Sequence, residues 1–195
     1  VILLSLNLAC AAADLTVTTL ANDGPGSLRQ TIAGAAPGDS VTFALQVRGT
    51  VVLTSGELVV DKDLFIVGPG VSSLAVSGNH SNRAFKIHSN ITVNIAGLTL
   101  RDGRIGAGIG GGGIYNAGHL TLDHCLVTNN ATGQGRAGPS GGDSGGGGGI
   151  YNGGALVLND CVVVFDMMTR KCSPSRAGTF VTSVHLTPVA RFVVD

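Results

Sequence analysis

Apolar and polar residues alternate in short bursts along this chain, and each burst ends in turn residues. From Val41 the bursts run VTFAL, TVVLTSG, ELVVDKD, LFIVGPG, SLAVSG, AFKIHS, ITVNIAG and LTLRDG. A side-chain period of two, bounded by Gly, Asp, Ser and Pro, predicts β-strands separated by tight turns. Further on the pattern repeats outright. Residues 110–128 (GGGGIYNAGHLTLDHCLVT) return at 146–164 (GGGGIYNGGALVLNDCVVV), with 12 of 19 positions identical at a spacing of 36 residues. A repeat of this length marks a solenoid or array in which each unit buries its apolar side on its neighbours. The unit is β, because LTLDHCLVT alternates and no apolar face recurs at helical spacing. The expected fold class is therefore all-β, a parallel β-helix.

Ahead of the repeats, residues 15–20 (LTVTTL) predict a strand and 22–27 (NDGPGS) a turn. Ser27 suits the N-cap of a short helix over 28–35, whose Leu28 and Ile32 share one face. Such a helix caps the open edge of the first coil, which would otherwise recruit other strands. Four regions follow: 1–13 as a signal-peptide remnant, 14–40 as strand and capping helix, 41–164 as coils, and 165–195 as a divergent tail. Aligning 64–66, 98–100, 126–128 and 162–164 in one column gives steps of 34, 28 and 36 residues. Unequal steps imply a constant coil with variable loops, at 102–113 and 129–149, both dominated by Gly.

Composition narrows the function classes. Net charge is zero and only 12% of residues are charged. That excludes nucleic acid as a partner, which needs a basic stripe, and an anionic membrane surface for the same reason. The 1–13 stretch (VILLSLNLACAAA) is apolar, too short to span a bilayer, and ends in small residues suited to signal-peptide cleavage. Cleavage near Ala13 would leave Asp14 first, and the protein is expected to be exported, with membrane anchoring only through segments outside this sequence.

Taken together, GSLRQTI, PGDSVTF, LVVDKDLFIVGPG and GGGGIYNxGxLxLxxC resemble bacterial secreted proteins of the right-handed parallel β-helix, or pectin-lyase-like, class. The Gly-Gly-Gly-Ile tetrads at 111–114 and 147–150 are similar to the Gly-Gly-x-aliphatic repeat of polymorphic outer-membrane and autotransporter passenger proteins. The Phe-x-x-Asn companion of that repeat is missing. The resemblance implies a right-handed β-solenoid at the cell surface or outside the cell. It also implies either an adhesin-like scaffold that presents Gly-rich loops to a polysaccharide or host-surface ligand, or a carbohydrate-active enzyme, a pectate-lyase-like lyase or a glycoside hydrolase.

Candidate chemistry favours the scaffold. A Ca²⁺-assisted lyase needs clustered carboxylates and a base for the proton α to the uronate carboxyl. The nearest grouping is Arg101, Asp102, Arg104, Asp123, His124 and Asp160, and these read better as solvated turn residues. No catalytic residue, cofactor or metal ligand set is assigned otherwise. Three columns read as structural ladders: Asn116 with Asn152, Tyr115 with Tyr151, and Cys125 with Cys161. The thiols are expected to stack as small buried groups in preference to a disulfide. The tyrosines offer at most a small sugar platform. GAGIGG at 106–111 imitates a dinucleotide fingerprint, but no βαβ unit surrounds it, so no nucleotide is expected. GDSGG at 142–146 imitates a protease nucleophile motif without a base in the right place. Asn79-His-Ser, Asn90-Ile-Thr and Asn130-Ala-Thr are glycosylation sequons by string.

Overall fold

A computed structural model of the protein describes residues 12–106, 110–132 and 148–164. Residues 1–11, most of the expected signal-peptide remnant, together with the GDSGG string and the 165–195 tail, lie outside the described residues. The chain opens with β1 (Asp14–Val17), α1 (Leu28–Gly34), β2 (Ser40–Phe43), β3 (Gly49–Val52), β4 (Leu58–Val60) and β5 (Leu64–Val67). It continues through β6 (Leu74–Ser77), β7 (Phe85–Ile87), β8 (Thr92–Ala96), β9 (Thr99–Arg101), β10 (Arg104–Ile105) and β11 (Ile114–Asn116). The last described elements are β12 (His119–Asp123), β13 (Leu126–Thr128), β14 (Ala131–Thr132), β15 (Ile150–Asn152), β16 (Ala155–Asn159) and β17 (Val162–Val163).

Three parallel sheets form the walls of a β-solenoid of about 4 turns. The first wall is β1-β2-β5-β8-β12-β16, the second β3-β6-β9-β13-β17 and the third β4-β7-β11-β15, with the short pair β10-β14 between the second and the third. Register is strict. Leu64, Val93, Leu120 and Leu156 stack in one row, and Ile66, Ile95, Leu122 and Leu158 in the next. Leu58, Phe85, Ile114 and Ile150 do the same on the third wall, and Val51, Val76, Leu100, Val127 and Val163 on the second. Alternation sends the intervening residues outward, so each coil presents an apolar inside and a mixed outside.

The expected column was wrong in its first member and one residue out of register in its second, since Leu126 pairs with Thr99 and not with Leu98. Leu64–Val67 pairs with Thr92–Ala96 on the first wall, while 98–100, 126–128 and 162–163 belong to the second. Read from Leu58 to Phe85 to Ile114 to Ile150, the coils are 27, 29 and 36 residues long. The confusion has a physical source: all three walls carry the same apolar alternation, so the pattern cannot tell one wall from another.

The two repeat copies differ in burial. Leu120, Leu122 and Val127 are buried, whereas Leu156, Leu158 and Val163 are only half-buried, against the expectation that both sets are buried alike. The second copy is the last described coil, and no described strand stacks on its far side. The repeated Gly run has a packing reason. A Cβ on Gly113 would lie 2.6 Å from the Gly149 carbonyl oxygen, and one on Gly112 would collide with the carbonyl of Ala131. The coils approach too closely there for any side chain.

At the other end, α1 forms as the sequence implies. Ser27 Oγ accepts the Gln30 N–H at 3.2 Å, and Leu28 and Ile32 are buried in one cluster with Val17 and Val41. Arg29 donates to the carbonyls of Gly56 and Glu57, at 2.6 and 2.8 Å, and so fastens the helix to the turn after β3. β1 is shorter than expected and stops at Val17, because the Thr18 and Thr19 N–H groups both turn to the Gly26 carbonyl. Ala13 is tied on both sides: its N–H donates to Asp39 Oδ1 at 2.8 Å and its carbonyl accepts from Ser40 at 2.8 Å.

Two tests follow from this packing. Leu122→Asp buries an unpaired charge between two coils and should cost roughly 3 kcal/mol or more in denaturant unfolding. A variant that melts with the parent would show the register to be wrong. The N–H groups of Ala13 and Ala36 hold the Asp39 carboxyl below its usual range. Its contribution is therefore full above the unfolded pKa and lost as pH falls through the lower folded one. Asp39→Asn should flatten the acid limb of the stability–pH curve and leave the alkaline limb unchanged.

Candidate functional site

The expected catalytic grouping falls on two separate corners. At the corner between the first and second walls, Gly97, His124 and Asp160 share one column, with φ of 62, 47 and 48°. This left-handed bend is what the corner requires, and Asp and His accept it more readily than most residues. Their side chains reach solvent. His124 is 69% exposed, its Nδ1 lies 2.9 Å from Asp123 Oδ1, and its Nε2 lies 3.6 Å from Asp160 Oδ2.

Asp102 and Asn129 make the equivalent column where the second wall ends, with φ of 55 and 53°. Asp102 is not a solvated turn residue. It is 9% exposed, accepts from Ser77 Oγ at 3.2 Å and from Asn129 Nδ2, and pairs with Arg101 at 3.1 Å. Beside it the buried Asn130 takes the Gly103 N–H at 2.8 Å and donates to the Leu100 carbonyl at 3.0 Å. The two corners are five residues apart along the chain, on the order of 15 Å at ~3.3 Å per residue. Asp102 and Arg101 therefore do not converge with Asp123, His124 and Asp160, and Arg104 sits exposed on β10. Among the described residues no group of three or more His, Cys, Asp or Glu could hold a metal ion.

The outer face of the third wall carries a row of aromatic and cationic side chains. Val59, Lys86, Tyr115 and Tyr151 stack outward in one row. The tyrosine rings lie 5.1 Å apart at an interplanar angle of 10°, and the Arg83 guanidinium sits 5.3 Å from the Tyr115 centroid. Arg83 is nearly buried, bonds Glu57 at 2.7 Å, and donates to the carbonyls of Gly111 and Gly110 at 2.8 and 3.2 Å. A sugar needs an open aromatic face, and the Tyr115 ring already has Tyr151 and the Arg83 guanidinium against it. Tyr151, the last described member of the column, is 36% exposed. The tyrosine column is thus first a structural stack. Arg83 was invisible in the sequence, since an arginine in SNRAFK matches no motif and its partners lie a coil away.

Asn116 and Asn152 lie in one column, paired across β11 and β15. Asn116 is fully buried, and its Nδ2 donates to Asn152 Oδ1 at 2.6 Å and to the Ala155 carbonyl at 2.8 Å. Cys125 and Cys161 are both free thiols, the first buried and the second half-buried. The Cys125 N–H donates to Cys161 Sγ at 3.4 Å. The Gly-rich stretches also share an address. One leaves β10 and returns at β11, the other leaves β14 and returns at β15. Since β10 pairs with β14 and β11 with β15, both depart and re-enter at the same corner, one coil apart.

Asp102→Ala leaves the buried Ser77 hydroxyl without its acceptor and should lower stability by about 1–3 kcal/mol, whereas Asp123→Ala, at a half-exposed side chain, should stay within ~0.5 kcal/mol. Paired urea melts of the two variants check this contrast.

No protein-family model matches this chain, and no curated protein matches it in sequence.

Proposed function

We propose that this chain is the scaffold of an exported, cell-surface or secreted adhesin-like protein, which presents Gly-rich loops to a polysaccharide or host-surface ligand. The reading includes right-handed winding and kinship with the pectin-lyase-like and autotransporter passenger proteins, on the sequence strings quoted above. The observation that carries it is the shared corner. Register holds on both sides, Arg104 on Ala131 and Ile114 on Ile150, while the intervening sequence grows from 106–113 to 133–149. Length changes there leave the walls untouched, as expected where a rigid frame carries variable recognition segments. The third wall adjoins that corner and adds Lys86 and the open edge of Tyr151, polar and aromatic contacts of the kind glycans use.

Against a lyase stands the arrangement around His124, which with Asp123 and Asp160 makes no metal-holding group among the described residues, while Asp102 lies at another corner. The test uses a panel of acidic and neutral polysaccharides immobilised for binding, with residues 133–147 replaced by a short Gly-Ser turn. The variant should melt with the parent and lose any ligand the parent retains. Release of unsaturated uronides from pectate with Ca²⁺, followed by ultraviolet absorbance and abolished in a combined Asp102→Asn, Asp123→Asn and His124→Ala variant, would replace the scaffold reading with the lyase.

A further inference from the structure

We infer that Cys125 and Cys161 are a closable thiol pair, a site at which a low-molecular-weight disulfide or a thiol–disulfide oxidoreductase forms a covalent bond between two coils. The inference does not rest on the proposed function. Paired positions flank the two residues on both sides, Asp123 on Asn159 before them and Leu126 on Val162 after them. They are therefore held one above the other. One strand spacing of ~4.8 Å falls inside the ~4.4–6.8 Å between Cα atoms that disulfides span.

In an unbroken parallel ladder two such side chains would point the same way and not toward each other. This pair sits just past a corner, where His124 and Asp160 take positive φ and the ladder is interrupted. The sulfur of Cys161 already lies on the backbone of Cys125, 3.4 Å from its nitrogen. The Cys125 thiol leans the other way, donating to the carbonyls of Ile95 at 3.4 Å and Asp123 at 3.3 Å. Closure asks Cys125 to rotate about its Cα–Cβ bond and give up two weak S–H contacts, while the coils stay in place.

The pair is also differentiated in access and acidity. Cys161 is half-buried and meets a reagent first; Cys125 is covered and can act only from within. The Cys161 S–H donates to an ionised Cys125, which holds the Cys125 thiol below its usual range, at about 7, and pushes the Cys161 thiol well above it. A thiolate is therefore at hand near neutral pH. With oxidised glutathione, the accessible Cys161 attacks one reagent sulfur, its proton passing to the glutathione thiolate it expels, and leaves a mixed disulfide. Cys125 thiolate then attacks Cys161 Sγ and expels the second. Two protein thiols lose two protons and two electrons, and one reagent disulfide becomes two glutathione molecules.

The experiment incubates the folded full-length chain with oxidised glutathione, alkylates it with iodoacetamide, and maps a non-reduced digest by mass spectrometry. The expected result is a linked peptide pair carrying Cys125 and Cys161, a protein mass lower by two hydrogens, and a melting temperature that rises on oxidation and falls back with dithiothreitol. Cys161→Ser should abolish the rise, and the parent's own redox cycle keeps the test valid if that variant folds poorly. Alkylation of both residues after oxidation, or linkage of Cys161 to Cys10, Cys172 or retained glutathione, would overturn the site.

Discussion

The inward side chain of one coil is buried only by its counterpart in the next, and everything else in the structure answers to that dependence. A single coil has no core of its own. Leu122 is fully covered because Ile95 lies on one side and Leu158 on the other. Leu158 has the same chemistry and the same register, yet stays half-buried with a described partner on one side alone. Stability in such an array is close to a sum of nearest-neighbour terms. Burial therefore falls off at the last described coil, and α1 supplies a different solution at the first, closing the core with Leu28 and Ile32.

Corners impose a second requirement, and it accounts for the false chemical signals. The chain must bend through positive φ between walls, and Gly, Asn, Asp and His meet that need with little strain. Hence His124 and Asp160 recur in Gly97's column, and Asp102 in Asn129's. In a linear reading these look like a scattered catalytic set. In space each is a bend residue, and Asp102 has in addition turned inward to satisfy Ser77 and Asn129.

The parts legible in the sequence are those written with a local period. Alternation announces strands, the verbatim repeat announces stacking, and Ser27 with Leu28 and Ile32 announces the cap. The Asn, Tyr and Cys columns could be read because the second copy repeats them without a gap. What stayed hidden depends on relations a coil apart in a chain whose coils vary in length. Leu64 resembles Leu98 in pattern but stands on another wall. The charge pair of Arg83 and Glu57 joins residues 26 positions apart that no motif connects. Asp102 reads as a surface turn residue because the hydroxyl and amide that bury it lie one coil below and one coil above.

Like residues meet across the coils between the two repeat copies, Asn on Asn, Tyr on Tyr and Cys on Cys, and magnitudes indicate why. The segment leading into the last coil, 133–149, is about twice as long as its predecessor, 106–113. Doubling a loop adds only about 0.6 kcal/mol of closure entropy, too little to need a dedicated anchor. The greater hazard is register. A chain returning from a long excursion can dock two residues out of step, which keeps its apolar set inside and lands the strand in the wrong place. Apolar rows cannot prevent this by themselves, since Leu156 and Leu158 would be chemically at home two residues along. Asn116 meeting Asn152, Tyr115 meeting Tyr151 and Cys125 meeting Cys161 can each be satisfied in one alignment only, because a shifted Asn116 would bury an unpaired amide. The ladders thus specify where the returning strand lands, which leaves the excursion itself free to vary.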